Sequence, residues 1–274
     1  MNQPLYKRIA VASAFSPRFE QVLAEAKRMR DRLGAKLDLI YVGEKDLETT
    51  RRFQEALAAM QLPANSRIHY QQGTPAEAIL AAVKENDIEL IVAGALEKEV
   101  VLRSFLGNVA RRLVREARCS VMLFTKPQRE PQPLHRIVFF VPDYTPHVAA
   151  ALQKTLRLAA LEGAEQLYVI RVYTSFDAAR AKREKTRPHE PTTRTLEQEE
   201  AALDQFIAAA GPANLTVEPR CIRGNTGFAA SDFVQSVEAD LLVVPVEASS
   251  EPGGIPAHIA WVSDVIPCNL WVIR

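Results

Sequence analysis

Cysteine is scarce in this sequence, and its placement excludes two classes of protein. Cys119, Cys221 and Cys268 are odd in number, far apart and never in CxxC spacing. A disulfide framework and a paired-cysteine zinc site are therefore excluded, and buried thiols are expected. Long apolar runs are missing as well. IVFFV (137–141) is far too short to cross a bilayer, and MNQPLYKR leads into the strand-like IAVA without the apolar core of a signal peptide. A soluble, cytoplasmic protein is the expectation, with no membrane partner. Nor is there an excess of one charge. The 34 Lys and Arg residues nearly cancel the 33 Asp and Glu, leaving a formal +1, so no global field recruits nucleic acid or an anionic surface. Motifs of common hydrolases and ATPases are absent: no GxSxG, no HExxH and no GxxxxGK followed by Ser or Thr. His69, His135, His189 and His258 show no metal-ligand spacing.

What is present is alternation. IAVA (9–12) precedes a helical pattern from Pro17 to Leu33 closed by Gly34, and LDLIYV (37–42) reads as a second strand. A polar helix (about 47–60), RIHYQ (67–71), a helix opened by Thr74-Pro75, LIVA (90–93), a further loop and helix, and SVMLF (120–124) follow. Strands alternating with helices imply a parallel sheet covered on both faces. KPQREPQP (126–133), rich in proline and charge, reads as a linker.

The order then restarts with IVFFV, LYVIRV (167–172), VEPRCI (217–222), LLVV (241–244) and LWVI (270–273). GTPAEAILAAVKENDIELIVAG (73–94) lies over GNTGFAASDFVQSVEADLLVVP (224–245) without a gap, and EARCSVMLF (116–124) over DVIPCNLWVI (264–273) with one residue added. An internal repeat of domain size is the simplest account. The expected organisation is residues 1–127, a linker at 128–133, and residues 134–274. The second copy carries an excursion, 173–211, that begins basic and ends as an amphipathic helix; 180–194 within it reads as a solvated loop.

These residues resemble the universal stress protein family in a tandem form, over nearly the whole chain. VLRSFLGNVARRLVREARCSVMLF is similar to the family block in which a glycine and a small hydroxyl residue open the last helix before a Cys-containing turn and the last strand. GTPAEAIL with LIVAG downstream is a second match. The resemblance implies an α/β fold of two tandem doubly wound domains, each with a five-stranded parallel sheet of order 3-2-1-4-5 (adenine nucleotide alpha hydrolase-like). It also implies a site for ATP or another adenine nucleotide in the binding members. Carried over residue by residue, the base falls near Ala12, Ser13 and Val42, and the phosphates over Ala93, Gly94, Gly107, Asn108 and Val109.

The departures are specific. The family loop reads G-x2-G-x9-G followed by Ser or Thr; here Gly94 and Gly107 keep the outer spacing, but Glu97 and Asn108 stand at the middle glycine and hydroxyl positions. A carboxylate at that point repels a phosphate. Ala14 stands where the family's first strand carries an acidic residue, which the second copy keeps as Asp143. The second copy has Pro245 for the first glycine and Pro256-Ala257 for Gly107-Asn108, and proline has no N–H to donate. Asp143 and His147 could meet on one helical turn, but a polar helix entrance is the simpler reading. Arg111, Arg112 and Arg115 suit either an anion or a solvated face.

The resulting expectation is a non-enzymatic stress-response protein with weak adenine nucleotide binding in its N-terminal half. The alternative is a scaffold that has lost nucleotide binding and acts through protein contacts. An ATP-hydrolysing or adenylyl-transferring enzyme lacks a candidate base and a metal-holding carboxylate in the half with the better loop. Because both last strands are apolar edges, an intramolecular pseudo-dimer is expected, with pairing of whole chains open.

Overall fold

The computed structural model describes residues 4–95, 104–184, 193–247, 260–262 and 265–274. The first repeat runs β1 (Arg8–Ser13), α1 (Phe19–Leu33), β2 (Lys36–Val42), α2 (Leu47–Ala59), β3 (Ile68–Gln71), α3 (Pro75–Glu85), β4 (Leu90–Gly94), β5 (Ser104–Phe105), α4 (Asn108–Glu116) and β6 (Ser120–Phe124). The second runs β7 (Arg136–Phe140), α5 (Pro146–Glu162), β8 (Gln166–Tyr173), α6 (Ser175–Glu184), α7 (Leu196–Ala209), β9 (Thr216–Arg223), α8 (Thr226–Ser236), β10 (Leu241–Pro245), β11 (Val265–Ile266) and β12 (Asn269–Ile273).

Local chemistry sets the ends of these elements. Gly34 ends α1 in the left-handed region at φ 63°, where a side chain would be strained, and its N–H closes on the Arg30 carbonyl. Asp46 opens α2 by accepting the Thr49 N–H at 2.7 Å. Pro75 occupies the first turn of α3, where no N–H partner is lost. Apolar strands such as LIVAG and SVMLF are buried on both faces, as a sheet covered by helices requires.

The chain divides into two units. The first holds 4–133 together with the described residues 265–274; the second holds 134–247 and 260–262. In the first, the order β3-β2-β1-β4-β6 is parallel throughout. This is the 3-2-1-4-5 order with its reversal between β1 and β4. β12 then adds antiparallel to β6, Trp271 opposite Met122 and Leu270 opposite Leu123, and β11 pairs antiparallel with β5. In the second unit, β10-β7-β8-β9 are parallel.

The repeat in sequence and the unit in space thus differ at two elements, β11 and β12. β12 ends the second repeat, yet it packs in the first unit. Its Leu270, Trp271, Val272 and Ile273 are buried, the Trp271 ring meets Tyr6 edge-on at 6.3 Å, and Asn269 Oδ1 accepts the Thr125 N–H at 3.0 Å. Arg274 extends the contact by donating to the Val114 carbonyl at 2.7 Å. The excursion after β8 also differs from expectation. α6 continues to Glu184, so residues 180–184 are helical; residues 185–192 lie outside the described set. Among the described residues no helix is long and apolar enough to cross a membrane.

Candidate functional site

In a doubly wound sheet the strands part where the winding reverses, and ligands sit in that crevice beyond the carboxyl ends. In the first unit the β1–β4 ladder ends at Val11 opposite Val92. Beyond it β1 follows β2, with Ala12 opposite Ile40 and Ser13 opposite Tyr41, while β4 follows β6, with Ala93 opposite Leu123 and Gly94 opposite Phe124. Ala12, Ser13, Ala93 and Gly94 therefore form the two lips of the opening. Val42 ends β2 beside them, opposite Gln71.

Strand alternation divides these positions between the two faces of the sheet. Ser13 shares a face with Tyr41, whereas Ala12 shares the opposite one with Ile40 and Val42. Gly94 has a specific reason to lack a side chain, since a Cβ there would stand 2.8 Å from Cγ2 of Val22 on α1. Ser13 is buried, and its hydroxyl turns back to the Val11 carbonyl at 3.4 Å.

α4 leads into β6, which is parallel to β4, so it must run against the strands and start at their carboxyl edge. It starts at Asn108 with Gly107 as its N-cap, at φ −62° and ψ 159°, and no side chain caps it. Its opening N–H groups have no acceptors within the helix. Gly107, Asn108 and Val109 are thus at the same edge as the lips of the crevice. Behind them Arg112 is held by Glu116 at 2.9 Å and by Glu77 at 3.3 Å, a solvated network on the helix face. Glu97, on which the expected phosphate repulsion rests, lies outside the described residues, as do His189, His258, Pro256 and Ala257.

The sequence reading overlooked an aromatic cluster beside the lips. Phe15, two residues past Ser13, packs against Phe53 at 4.7 Å and against Phe19 and Tyr41 at 5.2 Å between ring centroids. The Arg52 guanidinium lies 3.9 Å over the Phe15 ring. Phe15 and Phe19 stand four residues apart across the start of α1, and Tyr41 follows the predicted strand residue Ile40. That spacing was the available signal.

The second unit fills its equivalent crevice from within. Registers place Arg171 of β8 where Tyr41 stands in the first unit and Pro245 where Gly94 stands. Arg171 donates to the Val141 carbonyl at 3.1 Å and to the Pro142 carbonyl, binds buried Glu199 of α7 at 2.8 Å, and lies 5.6 Å from the Tyr144 ring. The group at this edge is thus an internal ion pair brought in by the helix that ends the excursion. Asp143 is exposed and accepts the N–H of Tyr144, and His147 Nε2 is buried without a partner among the described residues, so the two do not bond. Among the described residues no three His, Cys, Asp or Glu side chains gather as metal ligands.

Burial accounts for the thiols. The Cys119 thiol is pushed up to about 11 chiefly by desolvation. Cys221 is also raised to about 11, by partial burial and then by the Glu199 carboxylate. None of the three cysteines is in a disulfide; Cys119 is buried and the other two partly so.

The fold and crevice define a doubly wound α/β protein with a strand-end site at its winding reversal. Residues 5–125 match the model of the universal stress protein family. The universal stress protein in the QAH/OAS sulfhydrylase 3' region of Thermus aquaticus is 32% identical over 136 residues, covering 43% of this chain and 98% of that protein. A universal stress protein of Methanocaldococcus jannaschii is 34% identical over 82 residues, 28% of this chain; the match spans about half of that relative, 48%. This chain belongs to the universal stress protein family. Among solved structures, a universal stress protein from Archaeoglobus fulgidus covers 100% of this chain and 99% of its own, with TM-score 0.66 and 14% identity. A functionally unknown protein from Pseudomonas aeruginosa PAO1 covers 98% and 92%, with TM-score 0.72 and 15% identity. At these identities the likeness shows the fold, including its two-domain length.

Proposed function

We propose that this chain is a non-enzymatic, cytoplasmic binding protein of the universal stress type, with a weak adenine nucleotide site in the first unit alone. The observation that carries this reading is the parting of β1 and β4 beyond Val11 and Val92, with glycine at one lip and the uncapped, glycine-headed start of α4 at the same edge. Backbone N–H groups at a helix start, unobstructed by a Cβ, suit a phosphate. The base is assigned to Ala12, Ser13 and Val42, and the phosphates to Ala93, Gly94, Gly107, Asn108 and Val109. Restriction to one unit is supported by Arg171, Glu199 and Pro245, which take the corresponding space in the other. Weakness follows from Glu97 and Ala14 in the sequence, since loss of a few contacts at about 1 kcal/mol each lowers affinity by two decades or so.

The reading includes an intramolecular pseudo-dimer in which the last strands of the two repeats join, for which the antiparallel pairing of β12 with β6 is the support. Calorimetric titration with ATP tests the site. Gly107 has a backbone conformation that any residue adopts, and it makes no cap bond to lose. Gly107→Val therefore keeps an allowed backbone conformation and puts a branched side chain at the helix start. Measurable binding in the wild type and none in Gly107→Val is expected. Equal binding by both would move the ligand elsewhere, and no binding by the wild type at millimolar ATP would leave the scaffold reading in its place.

A further inference from the structure

The excursion after β8 builds a cavity with α6, an element that has no equivalent between β2 and α2 of the first repeat. There β2 passes to α2 through Gly43–Asp46 alone, whereas β8 passes through the whole of α6 before α7 begins. The cavity, of about 640 Å³, lies beyond the carboxyl ends of β8 and β9. Its apolar wall is Tyr173, Ala178, Ala181 and Leu196, with Tyr173 and Ala181 themselves buried. Tyr173 is locked in place, its hydroxyl donating to the Arg194 carbonyl at 3.1 Å. Thr195 in the wall is fixed as the N-cap of α7 by a reciprocal bond with Gln198.

The charge in this cavity has one sign. Among the described residues Lys182 and Arg223 line it, no carboxylate does, and neither cation has an ion-pair partner. This contrasts with another basic cavity, bordered by Lys27, Arg28, Asp31 and Arg129. There Lys27 binds Asp31, Arg28 binds Glu25 and Arg129 binds Glu20. An acid that could have neutralised the α6 cavity is turned away, since Asp177 accepts from the N–H and hydroxyl of Thr174. The cavity also reaches Asn225, the N-cap of α8, whose side chain makes no cap bond. The concave space and its two cations, unpaired among the described residues, carry the inference, and the uncapped helix start adds N–H donors to it.

We infer that this cavity is a second ligand site, separate from the strand-end crevice, for a small organic phosphate monoester: its phosphate meets Arg223 and Lys182, and its apolar body lies on Tyr173, Ala178, Ala181 and Leu196. Arg supplies a planar fork and Lys a point charge, a pairing suited to phosphate. The apolar wall adds affinity that the inorganic ion cannot gain.

Phenyl phosphate is the probe, titrated into the full chain by calorimetry beside inorganic phosphate and phenol. The expected result is saturable binding of phenyl phosphate, at least about tenfold tighter than inorganic phosphate. The double variant Lys182→Ala/Arg223→Ala, altered only at exposed side chains, should weaken binding by about tenfold or more. Ala178→Phe, which fills the cavity from an exposed helix position, should weaken phenyl phosphate more than inorganic phosphate. Gly107→Val should leave phenyl phosphate binding unchanged, which keeps this site distinct from the nucleotide site. No saturable binding at millimolar phenyl phosphate overturns the inference; so does binding that survives the double variant unchanged, or binding matched by inorganic phosphate.

Discussion

Replacing Trp271 with Ala should destabilise the first unit, although Trp271 belongs to the second repeat. The side chain is fully buried, meets Tyr6 edge-on, and sits in the strand that covers the edge of β6. Removing so large a buried side chain costs about 3–5 kcal/mol. That is a large part of the roughly 5–15 kcal/mol that holds a domain together. At about 1.4 kcal/mol per decade, amides that exchange through unfolding of this unit should exchange between about 100-fold and 3,000-fold faster. Hydrogen exchange read by mass spectrometry on peptides from β1, β4 and β6 measures this directly. Trp261→Ala is the matched control, because Trp261 packs on Phe140 and against Gly227 within the second unit. Its effect should fall on β7 and α8 instead. The reasoning fails if Trp271→Ala leaves 120–124 as protected as in the wild type and loosens only strands of the second unit.

Three further outcomes are expected. Arg171→Ala leaves the Glu199 carboxylate buried with Arg194, at 3.6 Å, as its one remaining ion-pair partner among the described residues, and should cost about 3–5 kcal/mol in urea denaturation, with Arg171→Met/Glu199→Gln costing much less. Gly94→Val puts a side chain into Val22 and should cost about 1–3 kcal/mol by thermal melting, unlike Gly107→Val, which should melt as the wild type does. Cys119 should react slowly with iodoacetamide at about pH 8, since its thiol is held neutral. The folded thiol ionises near 11 and the unfolded one near its ordinary 9.0, so its contribution is complete below 9 and is lost as pH rises from 9 through 11. A melting temperature that falls across that range in the wild type, and less in Cys119→Ala, is the expected signature.

Much of the fold was legible because each strand carries its own pattern. SVMLF begins and ends where the sequence reading put it, and Gly34 and Gly163 close their helices in the left-handed region that glycine favours. α6 was read in part as loop because its surface is charged, and periodicity fails where a helix has little to bury. Its start was nevertheless written in Thr174 and Asp177, a Thr-x-x-Asp pair whose two side chains and N–H groups bond reciprocally. The apolar character of β12 was plain, and with that of β6 it grounded the expectation of a pseudo-dimer, but the register was not legible, because pairing across 144 residues, as between Thr125 and Asn269, leaves no local signal. The expected crevice positions came from the family resemblance, in which Gly94 and Gly107 keep the outer spacing of the loop. Arg171 did not, since a single Arg in a predicted strand gives no sign that a helix 28 residues later brings Glu199 to meet it.

A titration of ATP into isotope-labelled protein, followed by amide chemical shifts, tests the nucleotide site most directly. Saturable shifts should concentrate at 12–13, 42, 93–94 and 107–109, with the amides of 141–145 and 245 unmoved. Shifts centred on the second unit, or none at millimolar ATP, would contradict a nucleotide site in the first.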